Sequence, residues 1–158
     1  PLSVVLTTDA IYDAFYDEYS KLNAFLHSHS YTGNPLACAA ANATLAIFRD
    51  EPVLERNRAT AAHMLASVEH LRDHRHVAEI RQCGMILAIE LMKDPATRTP
   101  WPWQERRGLR IYTHALERGA LIRPLGTTLY FMPPYVIAPD EIELLARVAT
   151  EGIELACA

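Results

Sequence analysis

The order of apolar runs and helix-spaced segments predicts an α/β beginning followed by a smaller α+β part. Three observations carry this. A short apolar run, Leu2-Ser3-Val4-Val5-Leu6, precedes a helix-spaced stretch. An alanine-rich helix starts sharply behind Gly33-Asn34-Pro35. A strand signal at Ile86-Leu87-Ala88-Ile89-Glu90-Leu91 is followed by a helix, two short apolar segments around Pro124 and Gly126, and a last helix.

Taken in order, Leu2 to Leu6 reads as a buried strand. Thr7 or Thr8 then caps a helix over Asp9 to Ser20, with Ile11, Ala14, Phe15 and Tyr19 at helical spacing. Ala24 to His27 reads as a second strand. Asn34 is a favoured N-cap and Pro35 a favoured first helical residue, so a helix is expected over Pro35 to Arg49. Pro52 restarts a helix that runs to about Asp73, with Leu54, Ala61, Leu65, Val68 and Leu71 as its apolar face. The polar run Asp73-His74-Arg75-His76 ends it and marks a boundary, giving segments 1–73 and 74–158. Gly84 marks a bend before the Ile86 strand. Three prolines make Asp94 to Trp103 a loop. Gln104 to Arg118 is a helix closed by Gly119. Leu121-Ile122-Arg123 and Leu129-Tyr130-Phe131-Met132 are expected to pair as a hairpin, and Pro139 opens the last helix, with Ile142, Leu145, Val148 and Ile153 inward.

Composition narrows the function classes. The 158 residues are half hydrophobic and carry a net charge of −4, which suits a globular core and gives no nucleic-acid footprint. No run of 18 apolar residues occurs, so no membrane span is expected. The start, without Met or a basic segment, does not read as a signal peptide. Three widely spaced cysteines give neither a disulfide frame nor a zinc pattern, and a reducing, cytoplasmic setting is expected. His27 with His29, and His70 with His74, have metal-compatible spacing but no acidic partner set, and the helical pair reads as a solvated face. The chain has no G-x-S-x-G, P-loop or G-x-G-x-x-G. Its two lysines, Lys21 and Lys93, sit in polar surroundings unsuited to amine activation.

Two places are chemically suggestive. The Asn34-Pro35 helix start exposes N–H groups and a positive dipole end, with hydroxyls at Ser28, Ser30, Tyr31 and Thr32 just before it. This suits a phosphate, although most capped helices bind nothing. Arg123, at the end of an apolar segment before Pro124, suits either a bidentate carboxylate contact or a structural ion pair. Tyr130, across the expected hairpin, is placed to line the same pocket.

The segment Phe25-Leu26-His27-Ser28-His29-Ser30-Tyr31-Thr32-Gly33-Asn34-Pro35-Leu36-Ala37-Cys38-Ala39-Ala40-Ala41 resembles the hallmark segment of class III aminotransferases. These are pyridoxal-phosphate enzymes of fold type I. Leu121-Ile122-Arg123-Pro124-Leu125-Gly126, followed by Tyr130-Phe131-Met132-Pro133-Pro134-Tyr135, is similar to the C-terminal signature of the family's biotin-pathway branch. The resemblance covers nearly the whole chain. It implies that 1–73 is the end of the large cofactor-binding domain with connecting helices, and that 74–158 is the C-terminal small domain.

The resemblance also implies pyridoxal 5′-phosphate as cofactor and a homodimer with the cofactor site at its interface. The implied reaction moves an amino group from S-adenosylmethionine to 8-amino-7-oxononanoate, giving 7,8-diaminononanoate. At matching positions, His29 and Ser30 become cofactor-binding residues at the phosphate of the neighbouring subunit. Ser30 stands where the family usually has Thr, and Ser28-His29 where many members have Gly-Pro. Arg123 matches the arginine that grips the oxononanoate carboxylate, and Tyr130 an active-site tyrosine beside it. The family's Schiff-base lysine lies upstream of the segment matched by Pro1-Leu2-Ser3, so this chain by itself is expected to be inactive. Two alternatives remain. Another class III ω-aminotransferase is disfavoured by Arg123 and the Tyr-Phe-Met-Pro-Pro run. A non-catalytic fragment, with exposed apolar surface on Leu2–Leu6 and the alanine-rich helix, is favoured by the missing lysine.

Overall fold

The computed structural model describes residues 2–158. The chain divides into two compact units, one running to Glu51 and one from Pro52 to Ala158.

The first unit contains helix α1 (Asp9–Asp13) and helix α2 (Pro35–Asp50), with a 3-10 turn at Tyr19–Lys21 between them. None of its described residues is buried. The strands expected at Leu2–Leu6 and Ala24–His27 are not formed: both stretches are extended or irregular chain. A strand must hand its backbone N–H and C=O groups to a neighbour, and no described segment pairs with either. Leu6 and Leu26 are accordingly exposed. The helix expected to reach Ser20 stops at Asp13. A short, unburied helix is marginal in water. Further along, the Asp17 carboxylate competes for donors, accepting from the Glu18 amide at 2.8 Å, Lys21 Nζ at 2.8 Å and Asn23 Nδ2 at 3.1 Å. The alanine-rich helix forms as expected, with Asn34 as its N-cap and Pro35 in its first turn.

The second unit is an antiparallel three-stranded sheet with helices packed on it. Helix α3 (Val53–Val68) continues as a 3-10 turn over Glu69–Asp73, followed by strands β1 (Val77–Cys83) and β2 (Ile86–Leu91), helix α4 (Arg107–Glu117), strand β3 (Thr128–Phe131) and helix α5 (Pro139–Cys157). The sheet order is β1-β2-β3. Ile80 faces Ile89, Leu87 faces Phe131, and Ile89 faces Leu129, so alternate residues build one buried face. Met64, Val68, Leu71, Ile111, Ile142, Val148 and Ile153 close over that face. Each side chain of this kind is worth about 1.5–3 kcal/mol when fully buried.

Several expectations need correcting. Strand β1 was not anticipated; only its partner β2 was. Leu121–Arg123 forms no strand, and β3 pairs instead with β2. Leu125 and Thr128 exchange two 2.9 Å backbone bonds around Gly126, whose φ of +60° suits glycine. Pro124, with no N–H, ends that pairing immediately. On α3, Leu54 is exposed, and Val53, Asn57 and Met64 are buried beside the expected Ala61 and Val68. Met64 and Val68 share the sheet's core, and α3 falls within the second compact unit.

Two caps follow the expected chemistry. At the end of α4 the Ala120 amide donates to Ala115 O at 2.9 Å and the Gly119 amide to Leu116 O at 3.1 Å. Gly119 has a φ of +77°, the left-handed geometry of a Schellman cap. At the start of α5 the Glu141 carboxylate accepts from the Ala138 amide at 2.7 Å, which satisfies an otherwise orphaned donor.

The expected solvated histidine face holds for His70, which is exposed, and not for His74, which is largely covered. His74 Nε2 lies 3.8 Å from Glu154, and His70 Nε2 lies 3.1 Å from Thr150 Oγ1, both on α5. His114 of α4 sits 3.3 Å from Glu151, which also takes Arg118 at 3.0 Å. No metal-capable group of three or more His, Cys, Asp or Glu exists among the described residues. Burial holds the His74 imidazole below its ordinary value; Glu154 opposes the effect, and His76 and Arg75 add to it. A lowered folded-state value means that the unfolded chain takes the proton more readily. The contribution of neutral His74 to stability is therefore fully present above about pH 6.5, the unfolded value, and is lost as pH falls from there through the lower folded value. Urea midpoints should drop more between about pH 7.5 and about pH 5.5 in the parent than in His74→Asn. Equal drops would show that His74 carries none of the acid sensitivity.

Candidate active-site elements

The first candidate element is the turn that enters α2. Gly33 takes a φ of +73°, and the Leu36 amide donates to Asn34 Oδ1 at 3.0 Å. Ahead of it, the His29 amide donates to Thr32 Oγ1 at 3.1 Å, and the Thr32 amide returns a bond to His29 O at 2.9 Å. The Asn34 amide donates to Tyr31 O at 3.1 Å. Ser30 lies at the exposed centre of this turn. Among the described residues, its hydroxyl and the amides of Ser30 and Tyr31 have no hydrogen-bond partner. Unspent N–H and O–H donors next to a helix N-terminus fit the oxygens of a phosphate.

A row of rings leads into the turn. His29 stacks on Tyr31 with centroids 5.3 Å apart and planes 3° apart. His27 meets His29 edge-on at 5.3 Å, and Phe25 meets His27 at 5.6 Å. The sequence carries this signal as rings at every second position from 25 to 31. The sequence pairs His27 with His29 by metal-compatible spacing but does not by itself reveal the run of ring contacts.

The second candidate element is a cleft of about 910 Å³ lined by Trp101, Trp103, Arg106, Arg107, Tyr112 and Arg123, with the Pro124–Thr127 turn as its floor. Arg107 is spent within the fold: its guanidinium lies 4.5 Å over the Trp101 ring, bonds Glu105 at 2.7 Å, and donates to the Ala156 carbonyl. Arg123 is different. It is exposed and makes no ion pair with any described residue, so the structural ion pair left open by the sequence is absent among them. A free guanidinium beside apolar walls is a carboxylate receptor. Arg106 and the two tryptophans of this wall were not singled out in the sequence, where Arg106 reads as helix and the tryptophans as loop.

Tyr130 does not share that cleft. It lines a separate one of about 330 Å³ with Ile122, Met132, Pro133, Pro134 and Leu144. The expected hairpin was what joined it to Arg123. With β3 paired to β2, Tyr130 stands opposite Ala88 in the sheet, and Arg123 lies in irregular chain just before the Pro124–Thr127 turn. Neither lysine is a candidate for amine chemistry: Lys21 is held by Asp17 at 2.8 Å, and Lys93 is exposed.

The sequence profile of the family Aminotransferase class-III matches residues 1–151. The chain belongs to the class III aminotransferases. It is 40% identical over 153 residues to the adenosylmethionine-8-amino-7-oxononanoate aminotransferase of Anoxybacillus flavithermus, covering 97% of this chain and 34% of that protein. The crystal structure of the adenosylmethionine-8-amino-7-oxononanoate aminotransferase from Methanocaldococcus jannaschii is similar, with a TM-score of 0.84, 36% identity, and coverage of 96% of this chain and 35% of that one. An omega transaminase from Pseudomonas jessenii, solved in complex with PMP, superposes with a TM-score of 0.76 at 27% identity, covering 87% of this chain and 30% of that one. This class III aminotransferase chain thus spans about a third of the length of the relatives it matches. Its mixed helix and sheet are a portion of the type I aminotransferase fold. No helix among the described residues is long and apolar enough to cross a membrane.

Proposed function

We propose that this chain is part of a pyridoxal-phosphate aminotransferase that moves an amino group from S-adenosylmethionine to 8-amino-7-oxononanoate. In this reading the residues to Glu51 belong to the large domain, and the unit from Pro52 onward contains the small domain. The single observation that carries it is Arg123, an unpaired guanidinium on an apolar cleft, within a chain whose relatives carry that enzyme's name.

Pyridoxal 5′-phosphate, when bound, supplies the electron sink and carries the amino group between the two substrates. Ser30 and His29 would hold its phosphate, in a dimer where this loop serves the neighbouring subunit's site. Arg123 grips the oxononanoate carboxylate through two parallel N–H···O bonds, fixing which end of the molecule points at the chemistry. The tryptophan wall beside Arg123 keeps water from the substrate's aliphatic chain. Tyr130, half-buried on the adjoining cleft, is the second substrate-facing residue of this reading.

The test follows cofactor absorbance in the intact protein. S-adenosylmethionine should convert the spectrum and simple ω-amines should not. Conversion by ω-amines alone would assign the chain to another class III activity.

A further inference from the structure

We propose that Thr32 is a positioning residue that holds the Ser30-Tyr31 turn in the shape that receives the cofactor phosphate. The inference rests on the function proposed above, and its own basis is the bonding of the turn. Thr32 is the one residue that closes the turn from both sides. Its hydroxyl accepts from the His29 amide at 3.1 Å, and its amide donates back to His29 O at 2.9 Å. The two residues between, Ser30 and Tyr31, are thereby looped out. Their amides and the Ser30 hydroxyl are left without partners among the described residues.

The His29–Tyr31 ring stack spans the same turn and braces it. That leaves Ser30, lying between the stacked pair, as the turn's phosphate-facing side chain. Without the Thr32 hydroxyl, the His29 amide has no partner in the turn. The loop is then free to sample other shapes for the three donors. The turn is exposed, so nothing in its packing replaces the lost bond. A donor set that must be ordered at the moment of binding gives up affinity to that ordering.

Thr32 touches no phosphate in this account; it acts through His29. A near-isosteric change therefore isolates it. Thr32→Val removes the hydroxyl and keeps the branched shape and the backbone amide. Thr32→Ser restores the hydroxyl alone.

The experiment uses the intact protein, stripped of cofactor and titrated with pyridoxal 5′-phosphate and, separately, with pyridoxal, following cofactor absorbance. Thr32→Val should raise the dissociation constant for pyridoxal 5′-phosphate about tenfold and leave that for pyridoxal unchanged. Thr32→Ser should stay within about twofold of the parent for both. A parent protein that binds the two compounds equally would overturn the phosphate reading itself. Given a parent that does prefer the phosphate ester, an unchanged constant in Thr32→Val, or equal weakening towards pyridoxal, would overturn the role of Thr32 alone.

Discussion

Replacing Arg123 with alanine in the intact aminotransferase is expected to cost the oxononanoate step about 2–3 kcal/mol, on the order of a hundredfold in kcat/KM. Hydrogen bonds to a charged partner are the strong ones, and here two are lost together. The step that uses S-adenosylmethionine should suffer much less. Arg123→Lys tests the geometry rather than the charge. A lysine keeps the positive charge but offers a point instead of a fork, so it should recover only part of the loss. Pre-steady-state absorbance of the two steps separates them. Equal damage to both steps would remove Arg123 from carboxylate reading. The fold should survive either change, because Arg123 is exposed and bonded to no described residue.

Gly108→Ala is expected to have the largest effect of any one-carbon change near the cleft. Gly108 is buried in the first turn of α4, where that helix meets the Pro124–Thr127 turn. A Cβ there overlaps the Gly126 carbonyl oxygen and comes within 3.1 Å of Pro124 Cβ. The obstacle is backbone, so no rotamer change relieves it. Overpacking of this kind costs about 1–3 kcal/mol. Part of the strain should be relieved by moving the turn that carries Arg123. The variant should therefore lose both thermal stability and oxononanoate affinity. Gly152→Ala is the control: its Cβ meets Ile111 Cγ2 at 3.1 Å, a side chain that can shift, far from Arg123 in the chain. It should lose stability without losing affinity. Melting temperatures and substrate KM values for the two variants distinguish these outcomes. Retention of full stability in Gly108→Ala would mean that α4 and the turn are not packed as described.

What could be read from the sequence depended on where each element finds its partners. Helix α2 was legible to within one residue because Asn34, Pro35 and the alanine run act locally. The Gly119 cap and the α5 start were legible for the same reason. Leu2–Leu6 and Ala24–His27 have the composition of strands, yet strand formation needs an adjoining edge, which composition does not report. Strand β1 was missed because Val77-Ala78-Glu79-Ile80-Arg81-Gln82-Cys83 is only partly apolar, its outer face being satisfied by pairs such as Arg81 with Glu90 at 2.8 Å. Pairing order failed at the same level. Proximity in sequence favoured Leu121–Arg123 as the partner of β3, but β2 offered a complete edge and Pro124 spoiled the nearer one. The observed pairing separates Tyr130 from the cleft that Arg123 lines. Arg123 was legible as a candidate for either a carboxylate contact or a structural ion pair, and its lack of an ion pair among the described residues was visible only once the acids around it had been located.

The central claim is that one protein holds a phosphate at Ser30 and a carboxylate at Arg123. The most direct measurement is a crystal structure of the intact dimer with pyridoxal 5′-phosphate and 8-amino-7-oxononanoate. The substrate carboxylate is expected to sit bidentate on the Arg123 guanidinium, and the Ser30 hydroxyl on the phosphate of the neighbouring subunit's cofactor. A carboxylate bound elsewhere, with Arg123 paired to an acidic side chain of the protein, would contradict it.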